Sequence, residues 1–372
     1  MNGTAAKLLL TMLLLVATVA CGPAAPPSPT PPPSKAPIDY VALEAQIEQT
    51  IRTGPEALDN VRAVLVNVDG ETKIAHYRKG FTEDDYLHVF SVTKSVLSIL
   101  IGIAIADGLI AGLDQPLSEL LPDHRPAMSE ATAQITLRQL MTMSGGFDDY
   151  LPGPEAWAES AKPGAEYVDR LLRRPQYPPG SAFWYSNPSA HLVAAVLAAA
   201  LERAAGEPRA VLDYAREKLF DPLGISTRNA FTGPLPDFFT PEFDRAGFGW
   251  GTDPDGLQIG GFGLRLRAPD MMNIGELYRQ GGVWNGQQIV PPDWIQHSIA
   301  PSIQNDEYGL LWWIIKEPGG AGYGAIGLGG QQIGVLVPPR AVIVYLSATE
   351  PNNMLDEGEI DPLNDMLIAT FL

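Results

Sequence analysis

Residues 87–105 read LHVFSVTKSVLSILIGIAI, and this stretch decides the fold. Strand-like residues from Leu87 to Phe90 run into Ser91, after which apolar side chains continue almost without a charge. A helix apolar on every side belongs in a core. Its one cation, Lys94, stands three residues after Ser91, so the two side chains share a helix face. In the first turn the backbone N–H groups lack intrahelical partners, which gives Ser91 a positive potential and free donors for an oxyanion. Lys94 must be neutral to take the hydroxyl proton, and burial beside an apolar helix disfavours its charged form. The same residues admit a plainer reading, with serine as an ordinary N-cap and lysine at the surface.

Outward from this helix, Tyr40 to Arg52 carries apolar residues at helical spacing. Ala63 to Val68, the turn Asp69-Gly70 and Lys73 to Tyr77 predict a β-hairpin. The middle of the chain is helical, around Thr136 to Met143, Pro188 to Ala205, Val211 to Phe220, Asp270 to Gln280 and Asp293 to Ser298. Strands return at Tyr308 to Ile315, Ile333 to Val337 and Ala341 to Leu346, before a last helix from Pro362 to Phe371. The expected class is α+β: an antiparallel sheet built from both chain ends, with an all-helical lobe inserted between them. Residues 38–90 and 301–372 would form the sheet lobe and residues 91–300 the helical lobe, with a cleft at their junction.

A second element, Tyr185-Ser186-Asn187, follows Pro178-Pro179-Gly180 and leads into the helix after Pro188. With it the chain resembles the serine β-lactamase and DD-peptidase superfamily, in the branch of class C β-lactamases, related esterases and 6-aminohexanoate-dimer hydrolases. The likeness covers roughly residues 40 to 350 and extends through ITLRQLMTMSGG, PLGI, GGFGLRLRAPDMM, GQQIVPPDWI and YGLLWW, in the family's order. It implies a β-lactamase/transpeptidase-like fold and an acyl-enzyme on Ser91, with Lys94 as base. It also implies that Tyr185 protonates the leaving group and that Asn187 holds the lysine and the substrate carbonyl side.

The family's third element, a strand reading Lys-Thr-Gly or His-x-Gly, matches Gly327-Leu328-Gly329-Gly330-Gln331, so Leu328 takes the cationic position. The resemblance leaves the backbone role in place. The N–H groups of Ser91 and Gln331 would form the oxyanion hole, and Gly329 and Gly330 would let substrate approach. Leucine cannot hold a substrate carboxylate as a cation would, so weak turnover of β-lactams is expected. In the segment GFDDY, residues 146–150, Tyr150 roughly matches a substrate-contacting tyrosine of the dimer hydrolases.

The N-terminus carries its own message. Lys7, the apolar run Leu8 to Val19, then Ala20 and Cys21 read as an export signal over residues 1–20, too short to span a bilayer comfortably. Cys21 resembles a lipobox cysteine, with Thr18 where an aliphatic residue is usual. Residues 21–37 are a proline-rich spacer suited to tether an anchored body, which residues 38–372 would form. The expected location is therefore the extracytoplasmic face of the bacterial cell envelope, held by a lipid anchor.

The remaining composition narrows the field. A net charge of -18 over 372 residues disfavours nucleic-acid partners, and a single cysteine excludes an internal disulfide or a thiol metal cluster. His76, His88, His124, His191 and His297 show no metal-ligand spacing, so neither metal nor cofactor is implied; His191 could at most support the site from behind. Gly322 to Gly327 matches G-x-G-x-x-G, but it enters a strand where a phosphate loop must open a helix. The chain is thus expected to be a serine hydrolase of a small ester or amide. The rival is a catalytically silent, or penicillin-binding, surface lipoprotein that recognises peptide or cell-wall fragments.

Overall fold

The computed structural model describes residues 37–148, 166–173, 175–236, 240–317, 320–349, 354–356 and 358–372. The signal, Cys21, nearly all of the spacer and Tyr150 lie outside the described residues. Asp39–Leu372 form one compact unit. Among the described residues no helix is long and apolar enough to cross a membrane.

Helix α1 (Tyr40–Thr53) starts where Asp39 accepts from the N–H groups of Val41 and Ala42, and it buries Leu43, Ile47 and Ile51 at a four-residue repeat. Strand β1 (Val61–Val68) turns through Asp69 and Gly70, both at positive φ, into β2 (Glu71–Tyr77). That turn conformation matches the right-handed twist of a hairpin. A two-residue strand, β3 (Leu87–His88), leads into helix α2 (Val92–Ala106), whose residues from Val92 to Ala104 are all buried. Helices α3 (Leu137–Met141) and α4 (Asn187–Ala205) pack with α2 in the helical part of the core. The short strands β4 (Gly249–Trp250) and β5 (Leu264–Leu266) join β3 in a small sheet of order β3-β5-β4, which fixes the entry to α2.

Helix α5 (Ala268–Arg279) lies on the main sheet so closely that a Cβ at Gly275 would sit 2.5 Å from Val342 Cγ1. The chain closes through β6 (Trp313–Glu317), β7 (Gly320–Gly327), β8 (Gln331–Leu336), β9 (Ala341–Ser347) and helix α6 (Asp361–Phe371). The sheet is antiparallel with order β2-β1-β9-β8-β7-β6, so the N-terminal hairpin pairs with the C-terminal strands as expected. Alternation along β1 sends Ala63 and Leu65 into the core shared with α2 and α4, and Val64 and Val66 to the opposite face.

One strand is shorter than its sequence suggests. The apolar run from Tyr308 does not pair as a strand until Trp313, because Gly309 N–H turns back to Trp312 O and Leu311 takes a φ of 62°. The bend buries Trp312 and leaves Trp313 half-buried.

Candidate active site

Ser91 opens α2, yet its side chain caps nothing. That removes the N-cap explanation of the serine. Instead its Oγ accepts from Lys94 Nζ at 2.9 Å, and its own N–H donates to no acceptor among the described residues. The preceding residue, Phe90, has a φ of 45°, a strained setting for a bulky residue. It is held there by burial, by stacking on His88 at 3.8 Å and by Thr93 Oγ1 donating to its carbonyl at 2.6 Å.

Lys94 is 1% exposed, which removes the surface reading as well. Its amine donates to Asn187 Oδ1 at 2.6 Å and to Gly261 O at 2.7 Å. Both are acceptors, so they take two N–H bonds. The remaining direction faces Ser91 Oγ and holds the lone pair when the amine is neutral. The amine also lies over the Tyr185 ring, 4.8 Å from its centroid. Asn187 is the first residue of α4, where Ser186 accepts from Ser189 N–H and Pro188 suits the open first turn. Tyr185 stacks on Trp313 at 5.6 Å and meets Tyr308 edge-on at 6.0 Å. Burial, with Tyr185 alongside, holds the Tyr308 hydroxyl well above the usual phenol range and therefore protonated.

In the sequence Gly261 stands within GGFGLRLRAPDMM, with no side chain to suggest a role. Its signal is the glycine run itself. A Cβ there would come within 2.5 Å of Asn187 Oδ1, and one at Gly260 within 2.1 Å of Ala190 O. Only glycines let this strip reach the first turn of α4.

The third element is arranged differently from expectation. The residue that abuts Ser91 is Gly327, where a Cβ would lie 2.4 Å from Val89 O and 3.2 Å from Ser91 N. Strand β6 pairs with β7 only as far as Gly324, so among the described residues this end of β7 is a free edge beside Ser91. Gln331 faces Gly327 from β8, an interior strand between β7 and β9. The N–H groups of an interior strand point in the sheet plane at neighbouring strands, so the amide of Gln331 is not placed for an oxyanion hole. Its side chain bridges Gly329 O and both backbone groups of Ser347. Gly329 and Gly330 lie in the connecting turn at φ values of 76° and 77°, where an added Cβ would meet Thr349 and Leu355 first. Residues 320–330 contain no Lys, Arg or His, so the missing cation does not depend on the exact register.

The family model described as Beta-lactamase matches residues 48–364. The chain belongs to the β-lactamase family. It is accordingly a β-lactamase-related serine hydrolase, and its α+β architecture is that of the family. A relative is the 6-aminohexanoate-dimer hydrolase of Paenarthrobacter ureafaciens, 23% identical over 331 residues, covering 82% of this chain and 75% of that one. Among solved structures, a D-stereospecific amidohydrolase from Streptomyces sp. is 17% identical with a TM-score of 0.61, covering 87% of this chain and 98% of the other. A penicillin-binding protein homologue from Caulobacter crescentus is 16% identical with a TM-score of 0.65, covering 90% and 98%. These likenesses carry the fold.

Proposed function

We propose that this β-lactamase-family chain is an esterase or amidase working through a Ser91 acyl-enzyme, on substrates without a carboxylate beside the β7 edge. The observation that carries it is the Lys94 amine, held by Asn187 and Gly261 with its third direction on Ser91 Oγ at 2.9 Å. Ser91 Oγ bonds to the carbonyl carbon while its proton passes to Lys94, and the carbonyl π pair becomes the oxyanion. The N–H of Ser91 receives that charge, together with the N–H of Leu328, which follows Gly327 at the free edge and replaces Gln331 in this role. Tyr185, beside the amine, delivers the proton to the leaving group as its bond to carbon breaks. Water then releases the acyl group by the reverse route. No step requires a cofactor.

Carboxylate indifference rests on the cation-free β7 edge and turn, and Leu328, 44% exposed, offers an apolar contact there. The same feature favours the second reading, a silent binding protein that has kept the fold. Mass spectrometry after fluorophosphonate and, separately, penicillin treatment separates them. The expected result is a fluorophosphonate adduct on Ser91, absent in Ser91→Ala, without penicillin turnover. Efficient penicillin hydrolysis would overturn the substrate reading, and no adduct from either reagent would favour the silent protein. Residues 1–21 support export and lipid anchoring at Cys21. Incorporation of labelled fatty acid into a Cys21→Ser chain would refute that anchor.

A further inference from the structure

The lysine is aimed from behind by a backbone strip that two buried imidazoles hold. Gly260 N–H donates to His191 Nδ1 at 3.3 Å, and Gly263 N–H donates to His88 Nε2 at 3.0 Å. Between these anchors lies Gly261, whose carbonyl accepts from Lys94 at 2.7 Å. His191 Nε2 is 3.0 Å from Asp253 Oδ2, and both side chains are 1% exposed. Because Nδ1 accepts an N–H bond, the proton of the neutral ring sits on Nε2 and donates to Asp253. Asp253 is fixed in turn, its Oδ1 accepting from Asp255 N–H at 2.9 Å and Leu257 N–H at 3.0 Å.

A histidine and a carboxylate buried together are costly, and a packed apolar pair of similar volume would serve stability at least as well. What an apolar pair cannot supply is an acceptor of fixed tautomer at the Gly260 N–H. We propose that His191 and Asp253 are positioning residues for Lys94, fixing the backbone at Gly260 so that the Gly261 carbonyl, two peptide units further on, directs the amine at Ser91. The proposal rests on the acyl-enzyme reading above.

Substitutions can divide the imidazole's two jobs. His191→Asn keeps an acceptor near the place of Nδ1, whereas His191→Gln keeps a donor near Nε2 and leaves Gly260 without its acceptor. Asp253→Asn tests the tautomer with hardly a change of shape. The two backbone N–H groups claim the new amide's oxygen, so its NH2 faces His191 Nε2. The ring proton is then driven to Nδ1, against the Gly260 N–H.

The experiment measures fluorophosphonate labelling of Ser91 in the full-length chain over a range of reagent concentrations, beside a thermal melt of each variant. In His191→Gln and Asp253→Asn the maximal labelling rate should fall about tenfold or more, with the half-saturating concentration unchanged. His191→Asn should stay within roughly threefold of the parent, the rescue that a merely structural role would not give. Should His191→Gln lose its cooperative melt, the near-isosteric Asp253→Asn decides alone. Parent-like rates in folded Asp253→Asn, or equal losses in both His191 variants, would overturn the positioning role while leaving the acyl-enzyme intact. No labelling of the parent chain would overturn the acyl-enzyme reading and this proposal with it.

Discussion

At the residue scale the site turns on one buried amine. Lys94 shares the interior of α2 with apolar neighbours and is balanced there by Ser91, Asn187 and Gly261. Replacing it with an apolar chain of similar length separates chemistry from packing. Lys94→Met should reduce fluorophosphonate labelling of Ser91 by about a hundredfold or more, as loss of a general base does. Its urea midpoint should stay close to the parent's or rise, because a costly buried amine is replaced. A parent-like labelling rate would remove Lys94 from the mechanism. Ser91 and Lys94 were legible from a three-residue offset that puts them on one helix face, and Tyr185 and Asn187 from the resemblance to a known family. Gly261 was not, because what it supplies is a carbonyl that every residue possesses; only its lack of a Cβ is specific, and that requirement shows once Asn187 is seen against it.

At the scale of elements, α2 had to be buried because Lys94 is its one charged residue and large apolar side chains occupy every side of it. Its neighbours approach so closely that a Cβ on Gly102 would fall 2.3 Å from the Trp294 indole. A rigid ring cannot give way as a flexible chain end can. Gly102→Ala should therefore destabilise the protein by about 1–3 kcal/mol in urea unfolding, through overpacking. The labelling rate per folded molecule should hold, since the contact lies away from Ser91; unchanged stability would mean that the Trp294 helix moves freely. The hairpin at Asp69-Gly70 was readable from two residues, because few others accept positive φ in succession. The third element was not. Which residue of 327–331 lies against Ser91 depends on where β6 stops pairing and on which strand is interior, and neither is encoded locally.

At the scale of the whole molecule, His88 ties β3, the strained Phe90 and the glycine strip into one body. Burial, reinforced by Arg265, lowers its pKa from 6.5 to about 3. Its folded value lies below its unfolded value, so on acidification the unfolded chain takes the proton first. The stability it contributes is complete above about pH 6.5 and is lost as pH falls towards 3. Urea midpoints measured across that window should fall, and His88→Gln, which removes the titration, should show a shallower decline; parallel slopes would mean that His88 does not couple to folding. Sequence alone was enough for the α+β class, the sheet built from both chain ends, the burial of the helix that Ser91 opens and three of the groups gathered around Ser91, namely Lys94, Tyr185 and Asn187. The architecture and the Ser91–Lys94 pair follow from local properties, namely hydrophobic period, turn conformation and a three-residue offset, while Tyr185 and Asn187 were implied by the family resemblance. Tertiary structure alone decided that Gly327 rather than Gln331 lies against Ser91, that Gly261 completes the lysine's contacts, and that two histidines without metal spacing hold the strip beside it. Those are matters of backbone placement between segments far apart in the chain, and no residue type announces where its N–H or carbonyl will point.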